Sequence, residues 1–507
     1  MSKRRLQRRL TTLDATFLYY EKKSAPLHIG SVSVFDGEIP YAQFVATVEA
    51  KLHLLPRYRQ VAVVPPLHLG HPRWEADPNF DIRRHLFELH LQPPGTEDQL
   101  REIASRLFSQ MLRRDKPLWE LYLIHGLEGN RAAVLLKVHH AMVDGISGVN
   151  FLTTILDTSP VPDPVPKPEP YEPPPPPHLQ TEIIDSVVDT TEETVRGWVE
   201  VWRELRSMRH ELRTEAARAG LWRMRGRLSR LFVPPSPLPF NGPLSGRQQV
   251  AWSQFPMPEV RAIRAALKGT VNDVVLTVLS GAVARYIQTR GVQPKRRFLR
   301  LMIPVSMRHE QERGELGNIV SLLPLDIPLA LADPAARFNY IHEMSVASKE
   351  VHLAQGVNLL RYLAANVPPP IQATVGAVGR TATPVFNMVC TNVPGPQSPV
   401  YLLGKRMIAY YPYVPIAHRV GCNCAILSYD QKLAFGLTAD TRLMPDVERL
   451  KAFLDEAYRE LRTAAGVLLT EAGDVQPKQT SPKPPEMSTQ PGDVEETRSS
   501  RPRRGGR

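Results

Sequence analysis

The chain has 507 residues, enough for two domains or one large pseudo-repeated one. Hydrophobic residues at 42% and charged residues at 22% are ordinary globular usage and exclude a wholly disordered chain. The net charge of +12 resides in appendages: residues 1–9 and 498–507 each carry five basic side chains and no acid, and residues 196–230 carry ten arginines against four glutamates, so the body is not a nucleic-acid binder.

Three cysteines, Cys390, Cys422 and Cys424, are too few for a secreted disulfide scaffold. No apolar run reaches the roughly 18 residues of a membrane-spanning helix. The basic start MSKRRLQRRL lacks the apolar core of a signal peptide. A reducing cytoplasm is the expected compartment.

In chain order, HIGSVSVFDG (28–37) alternates as a strand ending in a turn, and EDQLREIASRLFSQMLRR (97–114) has helical spacing. LWELYLIHGL (118–127) and RAAVLLKVHH (131–140) are strands. Residues 160–177 hold 11 prolines in 18 positions, which form neither helix nor ladder and extend as polyproline II. These boundaries divide the chain into an N-terminal half (11–158), a proline-rich linker (159–180), a basic amphipathic helical segment (181–232), a C-terminal half (240–470) and a disordered tail (471–507).

In the basic segment, Trp198, Trp202, Leu205, Leu212 and Ala216 recur at helical spacing between arginines. Such a helix either lies in a headgroup layer or packs its apolar stripe on the protein's own body. Further on, PEVRAIRAALKG (258–269) and VNDVVLTVLSGAVARYIQTRG (271–291) are helices ended by Gly269 and Gly291. RFLRLMIPVSMR (297–308), PVFNMVCTNV (384–393), CNCAILSYDQ and KLAFGLTAD are strands, the last two a candidate hairpin, and residues 443–466 form a long closing helix. The coarse fold class is α/β, in two halves.

The sharpest feature is KVHHAMVDGISG, which places His139, His140, Asp144 and Gly145 between a strand and a helix. Histidine's proton affinity suits neutral pH, so one at a strand end facing a cleft is a natural general base. The plainer reading makes Asp144 a helix N-cap and Gly145 a tight-turn residue. Cys422 and Cys424 in GCNC share one face of a strand, and with no second Cys/His pair they read as buried free thiols. No metal site and no phosphate-binding glycine loop is expected.

The HHxxxDG pattern is that of the CoA-dependent acyltransferase superfamily. The chain most resembles the bacterial wax ester synthase/acyl-CoA:diacylglycerol acyltransferase family. The resemblance extends through LDATFLYYEKKSAPLHIGSVSVFDG (13–37), KPLWELYLI (116–124), FNGPLSGRQQVAW (240–252), TVNDVVLTVLSGAVARYI (270–287), LMIPVSMR with GELGNIVS (301–321) and TNVPGP (391–396). It implies two chloramphenicol-acetyltransferase-like halves with mixed β-sheets and an active site in a tunnel between them.

It implies acyl transfer from acyl-CoA, a co-substrate and not a cofactor, to the hydroxyl of diacylglycerol or a long-chain alcohol, at an anionic membrane or lipid-droplet surface to which a cytoplasmic protein binds peripherally. His140 is then the general base and His139 its support. Asp144 is structural and pairs with Arg308, and Asn272 is an oxyanion donor at a helix start. Asn392 and Gly395 fit a turn lining the cleft better than catalytic groups. The same motif occurs in condensation enzymes that use carrier-protein thioesters, and a non-catalytic lipid-surface protein is the remaining alternative.

Overall fold

The computed structural model describes residues 10–65, 70–142, 147–162, 164–166, 195, 198–199, 202–203, 206, 234–295, 297–306, 320–350 and 385–468. The described residues form one compact unit. The expected tail (471–507) lies outside the described residues, as does most of residues 159–232.

The N-terminal half begins with α1 (Thr12–Tyr20), β1 (His28–Phe35) and α2 (Tyr41–Lys51). A small hairpin of β2 (Gln60–Val63) and β3 (Arg73–Ala76) follows, then β4 (Leu86–His90) and α3 (Glu97–Phe108). Strands β5 (Trp119–Leu127) and β6 (Arg131–His139) lead through one tight turn, His140–Met142, to α4 (Ser147–Ile155). Helix α3 starts where Thr96 and Gln99 form a capping box and acidic Glu97 and Asp98 sit at the positive helix end. It stops at Phe108, short of the predicted Arg114, because the chain turns away to engage the other half through Ser109.

The C-terminal half contains β7 (Gln248–Pro256), α5 (Met257–Ala266), α6 (Val271–Thr289), β8 (Phe298–Ser306), β9 (Val320–Pro328) and α7 (Pro334–Glu350). It continues with β10 (Met388–Pro394), β11 (Tyr401–Leu402), β12 (Lys405–Tyr413), β13 (Cys422–Tyr429), β14 (Lys432–Asp440) and α8 (Val447–Ala464). Helix α6 is apolar all round because it is the buried axis of this half, capped by Thr270 and Asp273. Strands β13 and β14 are the expected hairpin, turned by Asp430 and Gln431 at positive φ.

Each half carries a six-stranded mixed sheet. The second has the order β7-β14-β13-β10-β8-β9, drawn wholly from the C-terminal half. The first has the order β11-β12-β1-β6-β5-β4. Sheet and chain half therefore do not coincide: β11 and β12, from residues 401–413, complete the N-terminal sheet by antiparallel pairing of β12 with β1.

The two sheets meet closely. Gly436 of β14 lies so near β12 that an added Cβ would sit 1.9 Å from the Pro412 carbonyl oxygen. Trp252 of β7 stacks on Tyr411 of β12 at 4.6 Å. Helix α3 closes the seam, its Ser105 and Ser109 hydroxyls accepting the Val250 and Gln248 N–H groups of edge strand β7.

A buried knot locks the first half to the crossing strands. Lys51 Nζ, at the end of α2, donates to the Ile155 carbonyl at 2.8 Å and pairs with Asp157 at 2.6 Å. Asp157 and Tyr401 exchange backbone hydrogen bonds, each 2.8 Å. Removing one partner of a buried ion pair strands the other charge, so Asp157→Ala should destabilise the protein by about 3–5 kcal/mol in urea unfolding. A loss below about 1 kcal/mol, the scale of a surface pair, would show that the knot carries no strain of burial.

Candidate active site

Strand β6 delivers the histidine pair to the seam. The His139 N–H donates to the Leu118 carbonyl and the His140 N–H to the Leu27 carbonyl, each at 2.9 Å, so both flanking segments hold the turn. Successive side chains diverge as the strand ends, which separates the two roles.

His139 points inward and is fully buried. Its Nδ1 accepts the Ala141 N–H at 3.1 Å, so the ring proton resides on Nε2, which faces Glu21 Oε1 at 3.4 Å. Glu21 also accepts the Leu27 N–H at 3.0 Å and pairs with Arg114 at 3.1 Å. Burial alone would raise the Glu21 carboxyl, but His139, the Leu27 amide and Arg114 outweigh it and hold the group below its ordinary value. The chain Arg114–Glu21–His139 thus braces the turn from behind.

His140 is stacked on Phe17 of α1, with ring centroids 3.9 Å apart and planes 15° from parallel. Its Nδ1 is buried and makes no hydrogen bond among the described residues. Burial, with a smaller contribution from His139, pushes its pKa down to about 4 against the opposing effect of its own backbone. The imidazole is consequently neutral at pH 7 and holds a free lone pair, the form a general base requires.

His28 pairs with His139 across β1 and β6, and its ring lies 5.5 Å from Tyr413 of the crossing strand β12. Burial, then the nearby Lys137 ammonium, drives its pKa well below the ordinary value. The Tyr413 hydroxyl donates to Gln248 of β7 at 2.7 Å. Tyr20 of α1, the helix that carries Phe17, contacts the His418 ring of the C-terminal half at 5.2 Å. The histidine pair therefore sits among elements from both halves.

Beneath it, the PLWE segment supplies Glu120, which pairs with Lys116 at 3.1 Å and Lys137 at 3.4 Å and accepts the Tyr122 hydroxyl at 2.7 Å. Trp119 of the same segment is fully buried and donates its indole N–H to the Tyr58 carbonyl at 2.7 Å.

Of the other residues singled out by sequence, Asp144, Gly145 and Arg308 lie outside the described residues. Asn272 stands half-buried in the first turn of α6, and its side-chain amide makes no hydrogen bond among the described residues. Asn392 belongs to β10 and not to a turn, in register with Ile426 of β13. The Gly395 N–H donates to the Ser428 carbonyl at 3.0 Å, and an added Cβ would sit 2.5 Å from that oxygen. Cys390, Cys422 and Cys424 are free and buried, as expected.

Phe17, Glu21, His28, Arg114 and Lys137 were not identified as site residues from sequence. Phe17, Glu21 and His28 all fall in the block LDATFLYYEKKSAPLHIG, whose resemblance was the only signal available for them. A cavity of about 220 Å³ lined by Val34, Arg131, Gln254, Tyr411 and Lys432 also lies at the seam, but toward the end of β1 remote from His28.

The wax ester synthase/diacylglycerol acyltransferase catalytic domain matches residues 10–275, and the WS/DGAT C-terminal domain matches residues 316–462. The chain belongs to this family. Among its relatives, the probable diacylglycerol O-acyltransferase tgs1 of Mycobacterium tuberculosis is 30% identical over 459 residues, covering 89% of this chain and 95% of the relative. The probable diacylglycerol O-acyltransferase tgs2 of the same organism is 28% identical over 461 residues, covering 90% and 98%.

The wax ester synthase/diacylglycerol acyltransferase from Marinobacter aquaeolei VT8 shares the fold with a TM-score of 0.63 at 23% identity, covering 90% of this chain and all of that one. The first condensation domain of the calcium-dependent antibiotic synthetase has a TM-score of 0.56 at 16% identity, covering 90% and 96%. The two-half α/β architecture with mixed sheets is thus common to both groups, whereas the sequence relationship is to the WS/DGAT family.

In this member, the brace behind His139 can be tested apart from the base. Glu21→Gln keeps the shape and removes the charge facing Arg114 and His139. We expect a stability loss of about 1–3 kcal/mol from the groups left poorly paired, with turnover reduced and the KM for the acyl donor unchanged. Wild-type stability and turnover in this variant would remove Glu21 from the positioning network.

Proposed function

We propose that this WS/DGAT-family chain is an acyl-CoA-dependent O-acyltransferase that moves a long-chain acyl group to the hydroxyl of diacylglycerol, giving triacylglycerol, and to fatty alcohols, giving wax esters. The observation that carries the reading is His140: a neutral imidazole held against Phe17 at a strand end, among elements of both halves. The naming of the Mycobacterium tuberculosis relatives as diacylglycerol O-acyltransferases supports the acceptor class.

The donor sets the mechanism. A thioester is already activated, and its thiol leaving group, with a pKa of about 8.5, departs far more easily than an alkoxide. No covalent acyl-enzyme is required. His140 takes the acceptor's proton as the hydroxyl oxygen attacks the thioester carbonyl, giving a tetrahedral intermediate and an imidazolium. Collapse breaks the C–S bond, and the departing CoA thiolate receives that proton, so the histidine ends as it began.

The oxyanion is held by Asn272 with the positive end of α6. His139 supports the turn, while Asp144 fixes the following loop by pairing with Arg308, with Gly145 allowing its tight geometry.

A lipid surface is the site of action. Val195, Trp198, Val199 and Trp202, spaced as one helical face, are 60%, 48%, 50% and 72% exposed, in a segment rich in arginine. An outward apolar face flanked by cations suits peripheral insertion among anionic headgroups. Among the described residues no single helix is long and apolar enough to cross a membrane.

Two measurements test these assignments. With long-chain acyl-CoA and diacylglycerol or fatty alcohol, free thiol release should fall about 10²–10⁴-fold in His140→Ala. The wild-type kcat/KM should decline on the acid side only as pH falls through about 4, because the free imidazole is the active form and burial keeps it unprotonated to that point. Full turnover in the variant, or activity confined to acyl groups on a carrier protein, would overturn the assignment.

The membrane reading predicts that Trp198→Ala with Trp202→Ala weakens co-sedimentation with phosphatidylserine vesicles, and that raised salt weakens it for the wild type. Binding indifferent to both would place the contact elsewhere.

A further inference from the structure

A second cluster of chemistry-bearing side chains lies at the far end of the first sheet. Glu88 and His90 alternate on β4, the edge strand, and so project from one face. His125 of β5 is the parallel register partner of His90. The two imidazole rings stack with centroids 4.8 Å apart. Trp119 begins the same strand next to the β6 end that carries His139, so the cluster is about 20 Å from the catalytic pair at ~3.3 Å per residue.

A carboxylate faces each nitrogen of His125. Its Nδ1 lies 3.0 Å from Glu38 Oε2, and an ionised carboxylate only accepts, so Nδ1–H is the donor. Nε2 is then turned toward Glu88 Oε1 at 3.1 Å, yet it is buried and makes no hydrogen bond. His125 as a whole is only 9% exposed. His90 Nε2 approaches the same Glu88 oxygen at 3.8 Å. Among the described residues, neither Glu38 nor Glu88 pairs with a lysine or arginine.

A lone pair and a carboxylate oxygen 3.1 Å apart repel unless a positive centre stands between them. A proton on His125 Nε2 would join Glu38 and Glu88 through that ring alone and leave His90, 3.8 Å from Glu88, unengaged. One divalent cation satisfies all three groups at once.

The geometry points to a zinc-type divalent cation site in which Glu88, His90 and His125 are the protein ligands and Glu38 orients His125 from behind. The three ligating atoms lie within 4.8 Å of one another. Tetrahedral bonds of ~2.0–2.1 Å put ligand atoms about 3.4 Å apart, between the two separations given above. A carboxylate holding the outer nitrogen of a ligating histidine is the usual support that fixes its tautomer and raises its basicity. Two carboxylates with two neutral imidazoles carry a net charge of −2, which the ion neutralises. The exposed side of Glu88 and His90 leaves a fourth position to water. Bound there, the ion clips the edge strand β4 to β5 and to the Glu38 turn, a structural role separate from acyl transfer.

The full-length protein, free of any histidine tag and freed of metal with a chelator, is titrated with ZnCl2 by calorimetry and with Co2+ by visible absorption. The expected result is one ion per chain, a Tm raised by Zn2+, and cobalt bands of a nitrogen–oxygen site. Glu88→Gln and His90→Ala, both at exposed positions that leave the fold intact, should weaken binding at least tenfold. Glu38→Gln should weaken it ~10–100-fold, as loss of an orienting partner does. Thiol release by these variants should match the wild type. Absence of saturable one-to-one binding in the wild type, or equal binding in all three variants, overturns the proposal.

Discussion

The pairing of β12 with β1 is the constraint on which the rest of the molecule depends. It inserts a strand from the C-terminal half into the N-terminal sheet, so the first sheet is not complete without the other half of the chain. β1 is thereby held on one side by β6, which ends in the histidine pair, and on the other by β12, which brings Tyr413 against His28. A seam proposed as the active site must not hinge freely. Here the backbone ladder, the Gly436–Pro412 approach and the serine hydroxyls of α3 on β7 all oppose opening.

Within that frame, two adjacent histidines have opposite surroundings, which suit the separate roles proposed for them. His139 accepts a backbone N–H at Nδ1 and turns Nε2 toward the Glu21 carboxylate, and so serves as an anchor. His140 is held by stacking and by its backbone, which leaves its imidazole uncommitted. Burying a basic group with no acid beside it lowers its affinity for protons. That cost is tolerable where a base must be neutral before substrate arrives and charged only briefly while a negative intermediate stands beside it. The acids in the neighbourhood, Glu21 and Glu120, are both neutralised by cations of their own, so they do not pull the His140 pKa upward.

Several predictions from the sequence agree with the structure because the signal is local. The strand at 131–140, the capping box that starts α6, the hairpin of β13 and β14 and the buried thiols on one strand face follow from periodicity, turn chemistry and spacing. The histidine pair was legible because its residue types are uncommon and adjacent. Glu21, Arg114 and Phe17 were not, since a glutamate, an arginine and a phenylalanine in a polar, partly apolar stretch have no periodic or compositional mark. Their roles arise from packing across segments about a hundred residues apart or more, such as Phe17 on His140.

By itself, then, the amino-acid order determined the α/β class, most element positions, the family and the histidine pair proposed to carry the chemistry, all properties set by neighbours in the chain or by a contiguous motif. Only tertiary structure decided that residues 401–413 belong to the first sheet, that Glu21 braces His139, and that Glu38, Glu88, His90 and His125 converge. The physical reason is the same in each case. Strand pairing and charge satisfaction are met by whichever partner the whole fold brings within about 3–5 Å, and separation along the chain carries no information about that distance.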